Sequence, residues 1–417
     1  MRDLLFLSHR VPYPPNKGDK IRSFHILRNL AARFRVHLGC FFDDPADADH
    51  TDSLHEFCSE VFCLPLSRGR KAARGIRGLM TGRSVSEACF WDVRMQHWTR
   101  ATLERFGIRD IFVFCSTMAP YVFETAQDRR VVLDMVDVDS EKWLAYSRRA
   151  SWPLRQIYRF EQRHVLELEK RAARASGRVM FVSAAEAQAF AALAPELSER
   201  ILVMGNGVDL VRFDPSRHYA TPFVPGVLPI VFTGAMDYRA NIDAVTWFAG
   251  EVFPAIRRTH AHAEFWIVGA NPSRPVLRLT RRAGIRVTGS VADVRPYLAH
   301  AVCAVAPMRI ARGIQNKVLE SMAMAKPVVL TSAALEGLHV ENKREVLVAD
   351  TARDFVACVS GVLSDQWNEL GRAARKGVEA DSSWADKLRL LDDLFPNRVV
   401  PADLGSNTDL TLFAGAL

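Results

Sequence analysis

Thirteen short, continuously apolar runs are spread along the chain, with longer stretches of helical periodicity between them. In the first half the runs are Leu4–Ser8, Val36–Phe42, Val61–Leu64, Ile111–Cys115, Val131–Asp134, Val179–Ser183 and Ile201–Met204. In the second half they are Ile230–Gly234, Glu264–Gly269, Ile285–Thr288, Val302–Ala306, Val328–Thr331 and Val346–Ala349. Helical patterning fills most gaps, as in Ser23–Arg33, Leu154–Ala175, Ala240–Arg257 and Lys317–Ala325. A strand that is apolar along its whole length needs cover on both faces, and intervening helices supply the crossovers of a parallel sheet. Two such sets predict an α/β protein of two doubly wound, Rossmann-like domains facing a central cleft.

The expected boundaries follow from composition. Residues 1–208 form a first domain. Residues 209–229 carry Pro215, Pro222, Pro225 and Pro229 with little periodicity and read as a linker. Residues 230–380 form a second domain. Residues 381–395 form a helix expected to pack back on the first domain, and residues 396–417 a mobile tail.

With 49% hydrophobic and 24% charged residues, wholesale disorder, collagen and coiled coil are excluded. No apolar run approaches the roughly 18 residues of a membrane-spanning helix. Leu4–Leu7, flanked by Asp3, is no secretory signal, so a cytoplasmic protein is expected. The seven cysteines are scattered without a CxxC and read as reduced, buried thiols. The net charge of +8 is uneven: residues 1–200 hold 31 Lys/Arg against 25 Asp/Glu. An anionic partner is expected on that side.

The richest stretch is Ala306–Val329. A strand ends at Pro307, a loop follows with Arg309, Arg312 and Gly313, and a helix starts near Gln315. Gly313 permits close backbone approach. The unpaired amides and dipole of a helix start favour an anion. Lys317 in the first turn adds a point charge for phosphate. Glu320 shares its helix face and is placed to accept from both hydroxyls of a ribose. On spacing alone, a surface Lys–Glu pair on an ordinary amphipathic helix fits as well.

The segment resembles the donor-site motif of the family-4 retaining glycosyltransferases, whose fold is GT-B. Glu320 with Ser321-Met322-Ala323, then Lys326-Pro327-Val328-Val329, matches the second half of that motif. Asn206-Gly207-Val208-Asp209 with Phe213, Phe232-Thr233-Gly234, Ile267-Val268-Gly269 and Val287-Thr288-Gly289-Ser290-Val291 fit in order. Ser8–Arg22, Asp137–Trp143 and Arg312–Lys317 resemble the branch associated with PEP-CTERM/exosortase systems and exopolysaccharide production.

The resemblance implies catalytic roles for Asp19, Asp137, Lys317 and Arg312. It implies donor contacts at Gly18, Gly234, Val291, Arg309, Gly313, Ile314, Gln315, Asn316 and Glu320, and acceptor contacts at Arg22 and Asp139. Neither a cofactor nor a metal is expected. The sequence departs from the family pattern in three respects. Arg312 stands where a Glu is usual, Ala235 and Ala240 replace an Arg and a Lys, and Cys115-Ser116-Thr117 replaces a histidine site. The phosphate-neutralising charge is then expected from Arg309, Arg312 and Lys317.

The stretch 68–83 holds six cations and no acid, and is expected to dock on an anionic membrane surface near a polyprenyl-linked acceptor. No aromatic array accompanies it, so nucleic acid is not an expected partner. The function expected is transfer of a sugar from a UDP- or GDP-linked donor to a glycan or lipid-linked acceptor. A GT-B nucleotide-sugar epimerase and a non-catalytic partner in polysaccharide assembly are the rivals.

Overall fold

The computed structural model describes residues 1–15, 18–42, 47, 50–67, 69, 73–75, 78, 82–310 and 313–396. Among them thirteen strands form two wholly parallel sheets. The first holds β1 (Arg2–Ser8), β2 (Phe34–Phe42), β3 (Glu60–Pro65), β4 (Asp110–Phe114), β5 (Arg130–Val136), β6 (Arg178–Phe181) and β7 (Ile201–Val203), in the order β3-β2-β1-β4-β5-β6-β7. The second holds β8 (Leu228–Thr233), β9 (Ala263–Val268), β10 (Ile285–Gly289), β11 (Cys303–Ala306), β12 (Val328–Leu330) and β13 (Leu347–Val348), in the order β10-β9-β8-β11-β12-β13. In each sheet the order of strand addition reverses between its first and fourth strands. Ligands of open α/β sheets bind beyond the carboxyl ends at such a switch.

Strand alternation builds the first core. Leu4 and Phe6 of β1 join Phe112, Phe114 and Val132 on one face. Leu5 and Leu7 join Ile111, Val113, Val131 and Leu133 on the other. Burying each such side chain contributes roughly 1.5–3 kcal/mol. The first face is completed from the far end of the chain by Trp384, Leu388, Leu391 and Phe395. The return passes against the domain connection: Val208 N donates to Ser382 O at 2.8 Å, and a Cβ on Gly207 would meet Trp384 N at 2.6 Å.

Helix Gly18–Ala31 follows β1, and helix Asn316–Ala323 follows β11. The periodicity of 240–257 is not one helix. It divides into Arg239–Trp247, a π-helical turn at Phe248–Val252 and Phe253–Thr259. Pro254 has no N–H for the preceding turn, which loosens the helix there. Of the expected tail, 396–417, residues 397–417 lie outside the described residues. Among the described residues no helix is long and apolar enough to cross a membrane.

Candidate functional site

The floor of the site lies at the carboxyl ends of β8 and β11. Gly234 and Gly269 each have φ +152°, and a Cβ on Gly269 would sit 1.8 Å from Gly234 O. Only glycine allows these two turns to press together. A Cβ on Gly234 would come 2.8 Å from Asn241 Nδ2 and 3.2 Å from Lys317 Nζ. Open backbone therefore faces the lysine.

Lys317 is half-buried over the Phe232 ring, 4.2 Å from its centroid. Its Nζ donates to Asn241 Oδ1 at 2.5 Å, and Met308 Sδ lies 3.8 Å away. Asn241 is fixed by its own bond from Nδ2 to Ala235 O, 2.8 Å. Burial lowers the Lys317 ammonium to about 7, against the opposing attraction of Glu320. Burial raises Glu320 to about 7, against Arg212 and Lys317. Among the described residues the Glu320 carboxyl makes no hydrogen bond or ion pair, and none joins it to Lys317. An ammonium and a carboxyl desolvated this far, yet unpaired with each other, suit an anionic ligand bearing hydroxyl groups.

The loop into the helix closes the site from above. Gly313 has φ +64°, and a Cβ there would stand 3.1 Å from Asp137 Oδ1 of the first domain. Ile314 packs between Gly205 and Gly337. Gln315 precedes the helix without capping it through its side chain, and its Nε2 donates to Gly313 O at 3.2 Å. Asn316 Oδ1 accepts from Asn206 Nδ2 at 3.0 Å. The side-chain Nδ2 of Asn316 also lies 3.8 Å from the position a Cβ on Gly18 would take. Two helix starts, one from each domain, thus converge.

On the first domain, burial tends to raise the Asp19 carboxyl. His9 Nε2 at 3.6 Å and Arg10 Nη1 at 2.8 Å outweigh that and hold it well below the usual range. Asp19 is a fixed anion at neutral pH. Asp137 and Asp139 flank Lys142, each 2.9 Å from its Nζ. Against burial, the two acids hold Lys142 protonated. Beneath them Glu169 accepts from Ser140 N and Oγ, and Glu186 accepts from Val138 N at 2.7 Å. Burial, then the charge of Asp139, raises Glu169 to about 8. Val136, at the end of β5, has φ +67°, a strained conformation for a β-branched residue. Among the described residues no three His, Cys, Asp or Glu side chains gather as a metal site.

Arg22 corrects an expectation. It is 1% exposed and makes no acceptor surface. Its guanidinium forks onto Asp134 at 2.7 and 3.2 Å and donates to Met204 O and Asn206 Oδ1. Asp134 lies on β5 beneath the helix and needs that charge. Arg309 faces away from a free anion role, because Asp243 takes its Nε at 3.0 Å and Nη2 at 2.5 Å. Val291 is half-buried in the loop after β10. Arg312 lies outside the described residues, as does most of 68–83. Within that stretch Arg74 is ion-paired to Asp92 at 2.6 Å. Asn206, Asn241 and Lys142 were not singled out from sequence, although Asn206 lies in the Asn206–Asp209 motif and Lys142 in the Asp137–Trp143 segment.

Residues 228–365, the body of the second domain, match the family model described as glycosyl transferases group 1. Sucrose-phosphate synthase from Thermosynechococcus elongatus superposes with a TM-score of 0.68 at 16% identity, over 95% of this chain and 98% of that one. HepE of Anabaena, solved with UDP and glucose, superposes at 0.65 and 14%, over 94% and 99%. WaaG, a glycosyltransferase involved in lipopolysaccharide biosynthesis, gives 0.64 and 14%, over 94% and 100%. The fold is GT-B. Comparison with curated protein sequences gives no match. Gly18 and Asp137 of the first domain approach Asn316 and Gly313 of the second, and Lys317 stands beside Gly234 at the carboxyl end of β8.

Proposed function

We propose that the chain is a nucleotide-sugar glycosyltransferase of the retaining, metal-independent kind. The observation that carries this reading is the meeting of two helix starts, at Gly18 and Asn316, above Lys317. Together they offer amide donors and one cation to a diphosphate. The Glu320 carboxyl, desolvated and without a hydrogen bond or ion pair among the described residues, accepts from the ribose hydroxyls. The base is uracil or guanine.

In this reading the sugar–phosphate bond breaks toward Lys317 and the helix amides, which stabilise the departing diphosphate. The acceptor hydroxyl attacks the anomeric carbon on the face just vacated, and a diphosphate oxygen takes its proton. Asp137 and Asp139, poised on Lys142, orient acceptor hydroxyls. Asp19, held ionised by Arg10 and His9, fixes the loop that covers the phosphates. The acceptor is an exopolysaccharide or lipid-linked glycan at the cytoplasmic membrane face, in a PEP-CTERM/exosortase-type system.

The test is thermal unfolding of the purified chain against UDP, GDP, ADP and their sugar conjugates, with and without EDTA. A ligand that binds the native state alone raises the midpoint. An EDTA-insensitive rise with one base supports the donor site. No rise with any of them overturns it and favours a non-catalytic role. Conversion of a sugar conjugate without acceptor would make the chain an epimerase.

A further inference from the structure

We propose that the tip of the helical hairpin formed by Asp139–Arg149 and Leu154–Ala175 docks on an anionic membrane leaflet. The inference rests on the transferase reading for its purpose but not for its test.

Exposed apolar side chains concentrate there. Trp152 is 79% exposed, Leu154 50%, and Tyr146 and Ile157 41% each. All four lie within a dozen residues. Leu154 and Ile157 are one helical turn apart and share a face. Behind them the rings of Trp143, Tyr146 and Tyr158 pack together, with centroids 5.6–6.0 Å apart, so the tip stands on a stiff aromatic base. An apolar tip held this rigidly in solvent calls for an occupant.

Charge says which occupant. From residue 142 to 160 the chain carries cations and no acid. Arg148, Arg155 and Arg159 are exposed around the apolar tip. The next acid, Glu161, is buried and spent on Val85 N and Ser86 N, at 2.7 and 2.8 Å. Tryptophan and leucine rimmed by arginine match the boundary between acyl chains and phosphate headgroups. A second copy of the same tip would bring like charges together.

Position gives the tip a use. The first helix begins at Asp139 beside Asp137 and Lys142, and its eleven residues span roughly 16 Å. Tyr238, exposed on the second domain, feels the charges of Lys142, Tyr146 and Asp137 across the opening. A leaflet at the tip thus holds a lipid-anchored acceptor within one helix length of the acids in the cleft.

Co-sedimentation of the full chain with vesicles tests this, using phosphatidylglycerol mixed into phosphatidylcholine against phosphatidylcholine alone. The wild-type chain should partition onto the anionic vesicles, and salt should release it. Trp152→Ser with Leu154→Ser should weaken partitioning at least about tenfold. Arg155→Glu with Arg159→Glu should remove the preference for anionic lipid. Both pairs should keep the wild-type melting midpoint and its rise with nucleotide. That control separates a failed docking surface from a failed donor site. Unchanged partitioning in the variants overturns the proposal. So does a wild-type chain that leaves vesicles unbound. If light scattering then shows a dimer that the Trp152/Leu154 pair dissolves, the tip belongs to a second copy.

Discussion

Asn206 Nδ2 donates to Asn316 Oδ1 across the domain junction at 3.0 Å, while Asn206 Oδ1 accepts from Arg22 Nη1 at 3.0 Å. One amide thereby couples the ion pair in the core of the first domain to the start of helix Asn316–Ala323 in the second. Asn206→Ala should lose both bonds. The unfolding midpoint should fall by an amount equivalent to roughly 1–3 kcal/mol, since Arg22 loses a buried acceptor. Nucleotide affinity should weaken with it. Calorimetry of the free and nucleotide-bound variant checks both; unchanged affinity would uncouple the junction from the site.

Glu320→Ala should weaken nucleotide binding through lost ribose contacts, by roughly 1.5–3 kcal/mol if they are charge-assisted. Titration calorimetry with the nucleoside diphosphate and with the ribose-free pyrophosphate separates the ribose from the phosphates. Only the first should lose affinity.

The pH dependence of stability should have two limbs. Lys317 falls from 10.5 to about 7 on folding, so between those values the unfolded chain binds more protons and stability rises with pH. Glu320 rises from 4.5 to about 7, so between those values the folded chain binds more protons and stability falls with pH. The two contributions together are least favourable near pH 7. Lys317→Met should flatten the alkaline limb and Glu320→Gln the acidic one, in urea midpoints measured across the range.

Arg22→Ala leaves Asp134, wholly buried, without its cation. Burial already raises the Asp134 carboxyl, and Arg22 is the main opposing influence. The loss should be about 3–5 kcal/mol in chemical denaturation. A side chain whose task was acceptor contact would leave stability unchanged and alter turnover instead.

The strands were legible because both-face burial leaves unbroken apolar runs, and the Lys317–Glu320 pair because helical spacing puts them on one face. Arg22 was misplaced for a definite reason. Three residues from Asp19 on a helix, it reads as cleft-facing, and nothing local reveals an acid on a strand below it. Arg309 has the same difficulty, since its partner Asp243 is brought near only by the winding of the sheet. Asn241 gives no local sign at all. Its role exists only where β8 and β11 end side by side.

The return of the chain end to the first sheet has a consequence for synthesis. Arg2 opens that sheet, yet Trp384, which stacks on His25 with centroids 4.6 Å apart, and Phe395 are needed to close it. The second domain can finish folding while its predecessor still waits with one apolar face bare. On the ribosome, the domain begun first is the one completed last, and a message cut short after residue 381 would leave it unsealed.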